Sequence, residues 1–388
     1  MSRKSDPVRI TGIGQTDFSR RSGRSVRTLA CEAASLALAD AGLAPADIDA
    51  VIPVGGSVLS DDLISGLGLR TSLIDCLPPP GGNSGVLSLE LAEIILRSGR
   101  ASTVLIVFAR NGSSAARVTT RSGTLPGQQF RTYLERPHGW VTPAQWYTMM
   151  ARRHELEFGS SKAAMAEVAL TSRAHAQLNP GAMMHGRELT REMYDAAPYI
   201  TDLYQRFDCC LETDGAVALL LSAPDGPAGS RPTAVELLAV ESARPQSPDE
   251  LTNRDDWLTI GLTSAAPAAY ERAGLGPRDL DGAMIYDCFT FEVLHQLEAG
   301  GFCPPGGSSE FVLSGAIRLG GALPVNTHGG MLSDGHLGGV SHVLEAVRQL
   351  RHEAGARQID GAQVIAVTGW GDWGDGSLAI LGRKAGQP

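Results

Sequence analysis

The chain contains itself twice. Ala41-Gly42-Leu43-Ala44-Pro45-Ala46-Asp47-Ile48-Asp49 returns as Ala273-Gly274-Leu275-Gly276-Pro277-Arg278-Asp279-Leu280-Asp281. The offset is constant (273 − 41 = 232; 281 − 49 = 232), which marks a repeat in register and not a shared composition. Two copies in 388 residues describe a duplicated domain, because solenoids stack shorter and more numerous units. Duplication also supplies an internal control. A residue needed by the fold alone should recur, so positions where the halves disagree are candidates for function.

Each half reads as strand, helix, strand. Val8 to Gly14 is a first strand. Ser25 is a plausible N-cap for a helix whose apolar face is Leu29, Ala33, Leu36 and Ala37, and Gly42 stops it. Ile48 to Pro53 is the next strand. The second copy gives strand Ala234 to Val240, helix Ser264 to Arg272, stop Gly274 and strand Leu280 to Tyr286. A second unit follows in each half: helix Ser84 to Ser98 with strand Thr103 to Phe108, and helix Leu337 to Glu353 with strand Gln363 to Val367. The Ser84 helix is apolar almost all round, which predicts burial between layers. Alternating strands and helices predict an α/β fold with a mostly parallel sheet. Halves of 1–230 and 231–388 follow, with residues 110 to about 205 an insertion that has no counterpart.

No apolar run approaches the roughly 20 residues that a membrane-crossing helix needs. The polar N-terminus does not resemble a secretion signal, so the cytoplasm is the expected compartment. Six cysteines without a C-x-x-C pair predict reduced thiols, no zinc module and no metal. Cys209-Cys210 reads as packing. A net charge of −9 argues against nucleic acid as a partner. Against that charge, Arg110, Arg117, Arg121, Arg131, Arg136, Arg152 and Arg153 gather in the insertion. They form either a solvated basic loop or a phosphate-binding surface, since the arginine fork matches phosphate geometry.

Several motifs resemble the thiolase superfamily, in its sterol carrier protein-x or lipid-transfer-protein branch. They are the opening Ile10 to Phe18, the Asp40 to Asp49 turn, Asp208 to Ala218, Tyr286-Asp287-Cys288-Phe289-Thr290, Asn326-Thr327-His328-Gly329-Gly330 and Gly335-His336-Leu337-Gly338. The resemblance covers nearly the whole chain in order. It implies a five-layered α/β/α/β/α fold of two similar halves and acyl-CoA thioesters as substrates, with CoA present only as part of the thioester. It also implies a homodimeric core and a small OB-fold, zinc-ribbon partner protein.

The family's nucleophilic cysteine opens the buried helix of the first half, where helix dipole and free N–H groups activate a thiol. The matching motif is Gly81-Gly82-Asn83-Ser84-Gly85, which puts Gly82 where the cysteine belongs. Cys76 reads as structural. The second catalytic cysteine of thiolases is also missing from Thr368 to Gly376. In register, Gly82-x-x-Gly85 faces His336-x-x-Gly339, both expected to open helices, and Val54 faces Tyr286 (286 − 232 = 54). His336 offers an imidazole with an ordinary pKa of about 6.5 and Tyr286 a phenol of about 10. Each could instead be a satisfied structural side chain.

The pattern resembles thiolase-like aldolases that cleave steroid or bile-acid side chains, which lack the cysteine and carry tyrosine at the Tyr286 position. They carry a second tyrosine where this chain has His336. The expected reaction is retro-aldol cleavage of a β-hydroxyacyl-CoA, or the reverse condensation. Tyr286 would be the base and His336 would stabilise the enolate, with Asn326 assisting. Arg117, Arg121 and Arg131 would meet the CoA phosphates. Two alternatives stand beside it: a Claisen-type acyltransferase using Ser84 or Cys288, and a non-catalytic subunit of a heteromer. Gly12-Ile13-Gly14 lacks the third glycine of a dinucleotide fingerprint.

Overall fold

The glycines that close the duplicated segment, Gly42 and Gly274, both adopt left-handed φ values (65° and 73°) and stop equivalent helices. That conformation ends a helix with no Cβ penalty. The helices are α1 (Val26–Ala41), which Ser25 caps through its hydroxyl on the Thr28 amide, and Gly261–Ala273. The computed structural model describes residues 6–70, 74–78, 81–115, 131–229, 231, 233–246, 254–371 and 374–383. Between the two capped helices lie α2 (Ser60–Leu67), α3 (Ser84–Arg97), α4 (Pro143–Phe158) and α5 (Lys162–Gln177), so that Gly261–Ala273 is α6; α7 (Thr290–Ala299) and α8 (Val340–Leu350) follow.

The strands are β1 (Arg9–Gln15), β2 (Ala50–Val54), β3 (Ile74–Asp75), β4 (Thr103–Asn111), β5 (Asp214–Ser222), β6 (Val235–Ala243), β7 (Gly282–Met284), β8 (Val364–Trp370) and β9 (Gly376–Arg383). Their order is β3-β2-β4-β5-β1-β6-β9-β8-β7. The repeat is visible in it, because β2-β4-β5-β1 of one half corresponds to β7-β8-β9-β6 of the other. The halves join where β1 pairs with β6 at Arg9–Glu236 and Ile10–Val235.

The expected mostly parallel sheet is not found. Among the described strands β2–β3, β2–β4 and β7–β8 are parallel; β1–β5, β1–β6, β4–β5, β6–β9 and β8–β9 are antiparallel. Strand–helix–strand units make parallel neighbours only where a helix crosses over. The returning strands β5 and β9 enter beside β4 and β8 in the opposite direction.

Strand alternation builds the five layers. In β4, Val104, Ile106 and Phe108 face the middle of the molecule with α3 and α8, while Leu105, Val107 and Ala109 face α1 on the outside. The second half repeats this with Ile365 and Val367 inward and Ala366 outward against α6 and α7. The side chains obey the two-residue period of a sheet covered on both faces.

Burial of the central helices differs from expectation. The apolar α3 buries Val86, Leu89, Ala92 and Leu96 but leaves Leu87, Leu91 and Ile95 half-buried and Ile94 59% exposed. The helix buried nearly all round is α8, despite Ser341, His342, Glu345 and Gln349. Its Glu345 is satisfied internally: Arg357 donates twice to the carboxylate at 2.9 Å, and Thr327 donates to it at 2.8 Å. Buried polar groups survive when they are hydrogen-bonded.

Among its described residues the insertion, expected as an inserted loop region, is partly helical. It carries α4 and α5, and Tyr147, Met150, Met165 and Val168 pack into the core of the second half beside Ile285, Phe291 and Ile380. Among the described residues no helix is long and apolar enough to cross a membrane.

Candidate active site

Tyr286 follows the end of β7, and hydrogen bonds pin its main chain. Its amide donates to Thr368 Oγ1 at 3.2 Å, and its carbonyl accepts from Gln296 Nε2 at 2.6 Å. The Thr368 hydroxyl in turn donates to Gln296 Oε1 at 2.6 Å. A strand from one layer and a helix from the next therefore hold the residue from both sides. The Tyr286 ring lies against Gly82, at the start of α3. A Cβ at Gly82 would fall on the Tyr286 phenol, at both Cζ and the hydroxyl oxygen, and on the Trp370 carbonyl. Tyrosine at 286 thus occupies the space in which a side chain at 82 would have to stand.

Both Gly82 and Tyr286 line a cavity of about 790 Å³, and so do His336, Cys209, Cys210, Cys288 and Phe289. The structure brings Tyr286 and His336 to one site, as the repeat register predicts. His336, however, does not open a helix. Gly338 and Gly339 adopt φ values of 61° and 81°, so α8 begins only at Val340. His336 belongs to the loop before it, where its amide donates to Thr213 Oγ1 at 3.0 Å and Nδ1 lies 3.3 Å from Cys210 Sγ.

Asn326 lies elsewhere. It is buried, with a left-handed φ of 52°, a conformation asparagine tolerates better than most residues. Both polar ends of its side chain are engaged by one peptide: Oδ1 accepts from the Ile285 amide at 2.7 Å, and Nδ2 donates to the Ile285 carbonyl at 2.8 Å. It is not on the cavity wall. Its place is behind Tyr286, clamping the residue before it.

Arg117 and Arg121 lie outside the described residues, and so does the side chain of Arg131, whose backbone opens the short turn Arg131–Glu135. The arginines found on the cavity wall are Arg20, Arg110, Arg173, Arg187 and Arg206, with Glu188 and Glu212 as acids beside them. Arg173 and Arg206 both lie over the Phe207 ring, at 5.9 and 5.0 Å from its centroid. Burial and the neighbouring Arg187 lower the pKa of Arg173. The insertion adds apolar side chains to the wall: Met183, Leu189, Met193 and Ile200.

The thiols are not activated. Burial raises Cys76, pushes Cys209 and Cys303 up to about 12, and holds Cys210 well above the usual thiol range. Cys288 donates its S–H to Glu292 Oε2 at 2.9 Å, a contact that a thiolate could not make. Ser84 is buried at the start of α3 and its hydroxyl donates to the Gly81 carbonyl at 2.6 Å. Among the described residues Cys210 and His336 form a thiol–imidazole pair, but the raised pKa of Cys210 keeps the thiol from acting as a nucleophile. Sequence reasoning missed Cys210 at the cavity, because its partner is brought in from 126 residues away. Among the described residues no group of three or more His, Cys, Asp or Glu could hold a metal ion.

Residues 244–383 match the family model "Thiolase C-terminal domain-like". The chain is 34% identical to 17-hydroxy-3-oxo-4-pregnene-20-carboxyl-CoA lyase of Mycobacterium tuberculosis, over 92% of this chain and 95% of that protein. It is 32% identical to a steroid side-chain-cleaving aldolase of Thermomonospora curvata, over 93% and 95% of the two chains. A solved structure, the Ltp2-ChsH2(DUF35) aldolase, superposes with a TM-score of 0.90 at 31% identity, covering 99% of this chain and 100% of that one. Human sterol carrier protein 2 is 28% identical over 98% of this chain and 72% of its own length. The duplicated layers and these similarities agree: the chain belongs to the thiolase superfamily, in the branch shared by sterol carrier protein 2 and the steroid side-chain-cleaving aldolases.

Proposed function

We propose that this chain is a thiolase-like aldolase that breaks the Cα–Cβ bond of a β-hydroxyacyl-CoA without a covalent intermediate. The observation that carries the reading is the exclusion at Gly82: the Tyr286 phenol stands where a nucleophile at 82 would have to be. A carbon–carbon cleavage of this kind needs a base and an oxyanion donor, and no acyl-enzyme.

Tyr286, as its phenolate, takes the proton from the β-hydroxyl. The O–H electrons form a carbonyl at the β-carbon, the Cα–Cβ pair moves onto the thioester as an enolate, and Cα then takes a proton to release the shortened acyl-CoA. His336 donates to the enolate oxygen, which places a fixed dipole where charge develops. Asn326 acts one step back, by holding the Ile285 peptide that precedes Tyr286. The reverse condensation uses the same groups.

The apolar wall from Met183 to Ile200 suits a bulky, rigid acyl group such as a steroid, the substrate class in the names of the relatives. Arg117, Arg121 and Arg131 of the insertion, with Arg20, Arg110, Arg187 and Arg206 of the wall, are assigned to the CoA phosphates; CoA is part of the substrate and no separate cofactor is required. A small OB-fold, zinc-ribbon protein is assigned as partner, a reading supported by the similar Ltp2-ChsH2(DUF35) aldolase, whose name joins two components. Two copies are assigned to pair through Leu87, Leu91, Ile94 and Ile95 on the outer side of α3, an apolar stripe at i, i+4, i+7 and i+8. The cytoplasm is the assigned compartment, in keeping with six free cysteines.

Supplying a β-hydroxyacyl-CoA and, separately, a β-ketoacyl-CoA with free CoA tests the reading. An aldehyde or ketone from the first is expected. CoA-dependent cleavage of the second would overturn it.

A further inference from the structure

A close thiol–imidazole contact on the cavity wall is not used by the reaction above. Cys210 Sγ lies 3.3 Å from His336 Nδ1, and both residues have fixed main chains. The Cys210 amide donates to the Cys288 carbonyl at 2.9 Å, and the next amide, Leu211, donates to the Met331 carbonyl at 3.0 Å. The His336 amide is anchored on Thr213, three residues beyond Cys210 in the same segment. Asp208 anchors the start of that segment, where its carboxylate accepts from Tyr194 at 2.6 Å and from Thr290 at 2.8 Å. The contact is therefore built in and does not depend on a mobile side chain finding its partner.

We infer that Cys210 is a positioning residue for His336: its S–H donates to Nδ1 and fixes the imidazole with its proton on Nε2, as a hydrogen-bond donor. The inference rests on the reading of His336 as the enolate donor. The surroundings of the thiol keep its proton in place for that bond. Burial, Cys209, Asp287 and Glu292 all oppose a negative charge on Cys210, and Arg110 is the countering influence. With the S–H donating, Nδ1 accepts and the ring proton stays on Nε2, the form in which the imidazole can donate to the enolate as its proposed role requires. The same contact would make a nucleophile–base dyad if the thiol were ionised, so the two possibilities differ in a measurable way.

The test uses the full chain labelled with ¹⁵N-histidine. In the native protein the His336 signals should show an unprotonated, hydrogen-bonded Nδ1 and a protonated Nε2, and the Nδ1 signal should move in Cys210→Ala. With 17-hydroxy-3-oxo-4-pregnene-20-carboxyl-CoA as the probe, Cys210→Ala should lower kcat about tenfold with KM within about twofold, less than the loss from removing an oxyanion donor itself. Cys210→Ser, which keeps an O–H donor, should recover most of that kcat. A proton on Nδ1 in the native protein overturns the inference, as does a Cys210→Ala variant with native kcat. An acyl group found on Cys210 by mass after incubation with acetyl-CoA also overturns it. Should Cys210→Ala not fold, the native spectrum and Cys210→Ser still decide. His336→Ala separates the two levels: unimpaired cleavage in that variant removes the enolate-donor role, while the tautomer of the native ring is read independently.

Discussion

At the scale of single residues the site is a matter of mutual exclusion. Because a Cβ at 82 meets both the Tyr286 phenol and the Trp370 carbonyl, Gly82→Ala should cost about 1–3 kcal/mol of stability, as overpacking does. Urea denaturation measures this. Adding Tyr286→Ala should relieve only part of the strain, since the obstructing Trp370 carbonyl is backbone. Tyr286→Phe should leave the melting temperature close to native and lower kcat for β-hydroxyacyl-CoA cleavage by about 10²–10⁴. Arg206→Ala should raise KM for the CoA thioester about five- to tenfold with kcat unchanged, the signature of lost uniform binding. Gly82 and Tyr286 were legible because the repeat supplied a register against which each could be compared. Cys210 was not, since no local pattern announces a contact made across the fold. Asn326 was legible as a special position, but only the structure shows that its amide is turned to the Ile285 peptide.

At the scale of elements, α7 concentrates buried ionisable groups: Glu292, His295 and Glu298 lie on one helix. Burial pushes His295 down to about 4, and its Nε2 donates to the Leu258 carbonyl at 2.7 Å. The folded protein therefore keeps this ring neutral, whereas the unfolded chain protonates it near its ordinary value of about 6.5. Its contribution is complete above that pH and declines as the pH falls toward 4, by roughly 3 kcal/mol in all. Glu298 acts lower on the scale. His154 and Ser308 hold it down at about 2, so its stabilisation is present above the ordinary carboxylate range and is lost as the pH falls from about 4.5 to 2. Melting temperatures between pH 7 and 4 should fall less steeply in His295→Gln than in the native protein. The elements themselves were legible from periodicity and glycine stops. The start of α8 was not, because Gly338 and Gly339 take left-handed conformations that delay it, and hydrophobicity alone misjudged which central helix is enclosed.

At the scale of the whole molecule, the five layers follow from duplication, and the direction of the strands does not. Periodicity locates a strand but carries no information on which neighbour it meets, so β5 and β9 could be found in the sequence without their antiparallel placement. The α3 stripe belongs to this scale too. Ile94→Asp should shift the protein in sedimentation from twice the chain mass of 40.8 kDa to that mass, while leaving the fold intact because Ile94 is exposed. A native protein that sediments as a monomer would remove the pairing. The insertion, encoded within the first half, packs on the second, so neither half should fold when expressed alone as 1–230 or 231–388; circular dichroism of the two fragments checks this.

The crowding of Gly82 by Tyr286 also orders the history available to such chains. A scaffold with a side chain at 82 cannot accept the phenol at 286 until that side chain has gone, and a scaffold with the phenol cannot regain a nucleophile at 82 without first giving the phenol up. Single substitutions that keep this backbone and this ring position therefore pass between acyl transfer and aldol cleavage through a form that has neither group.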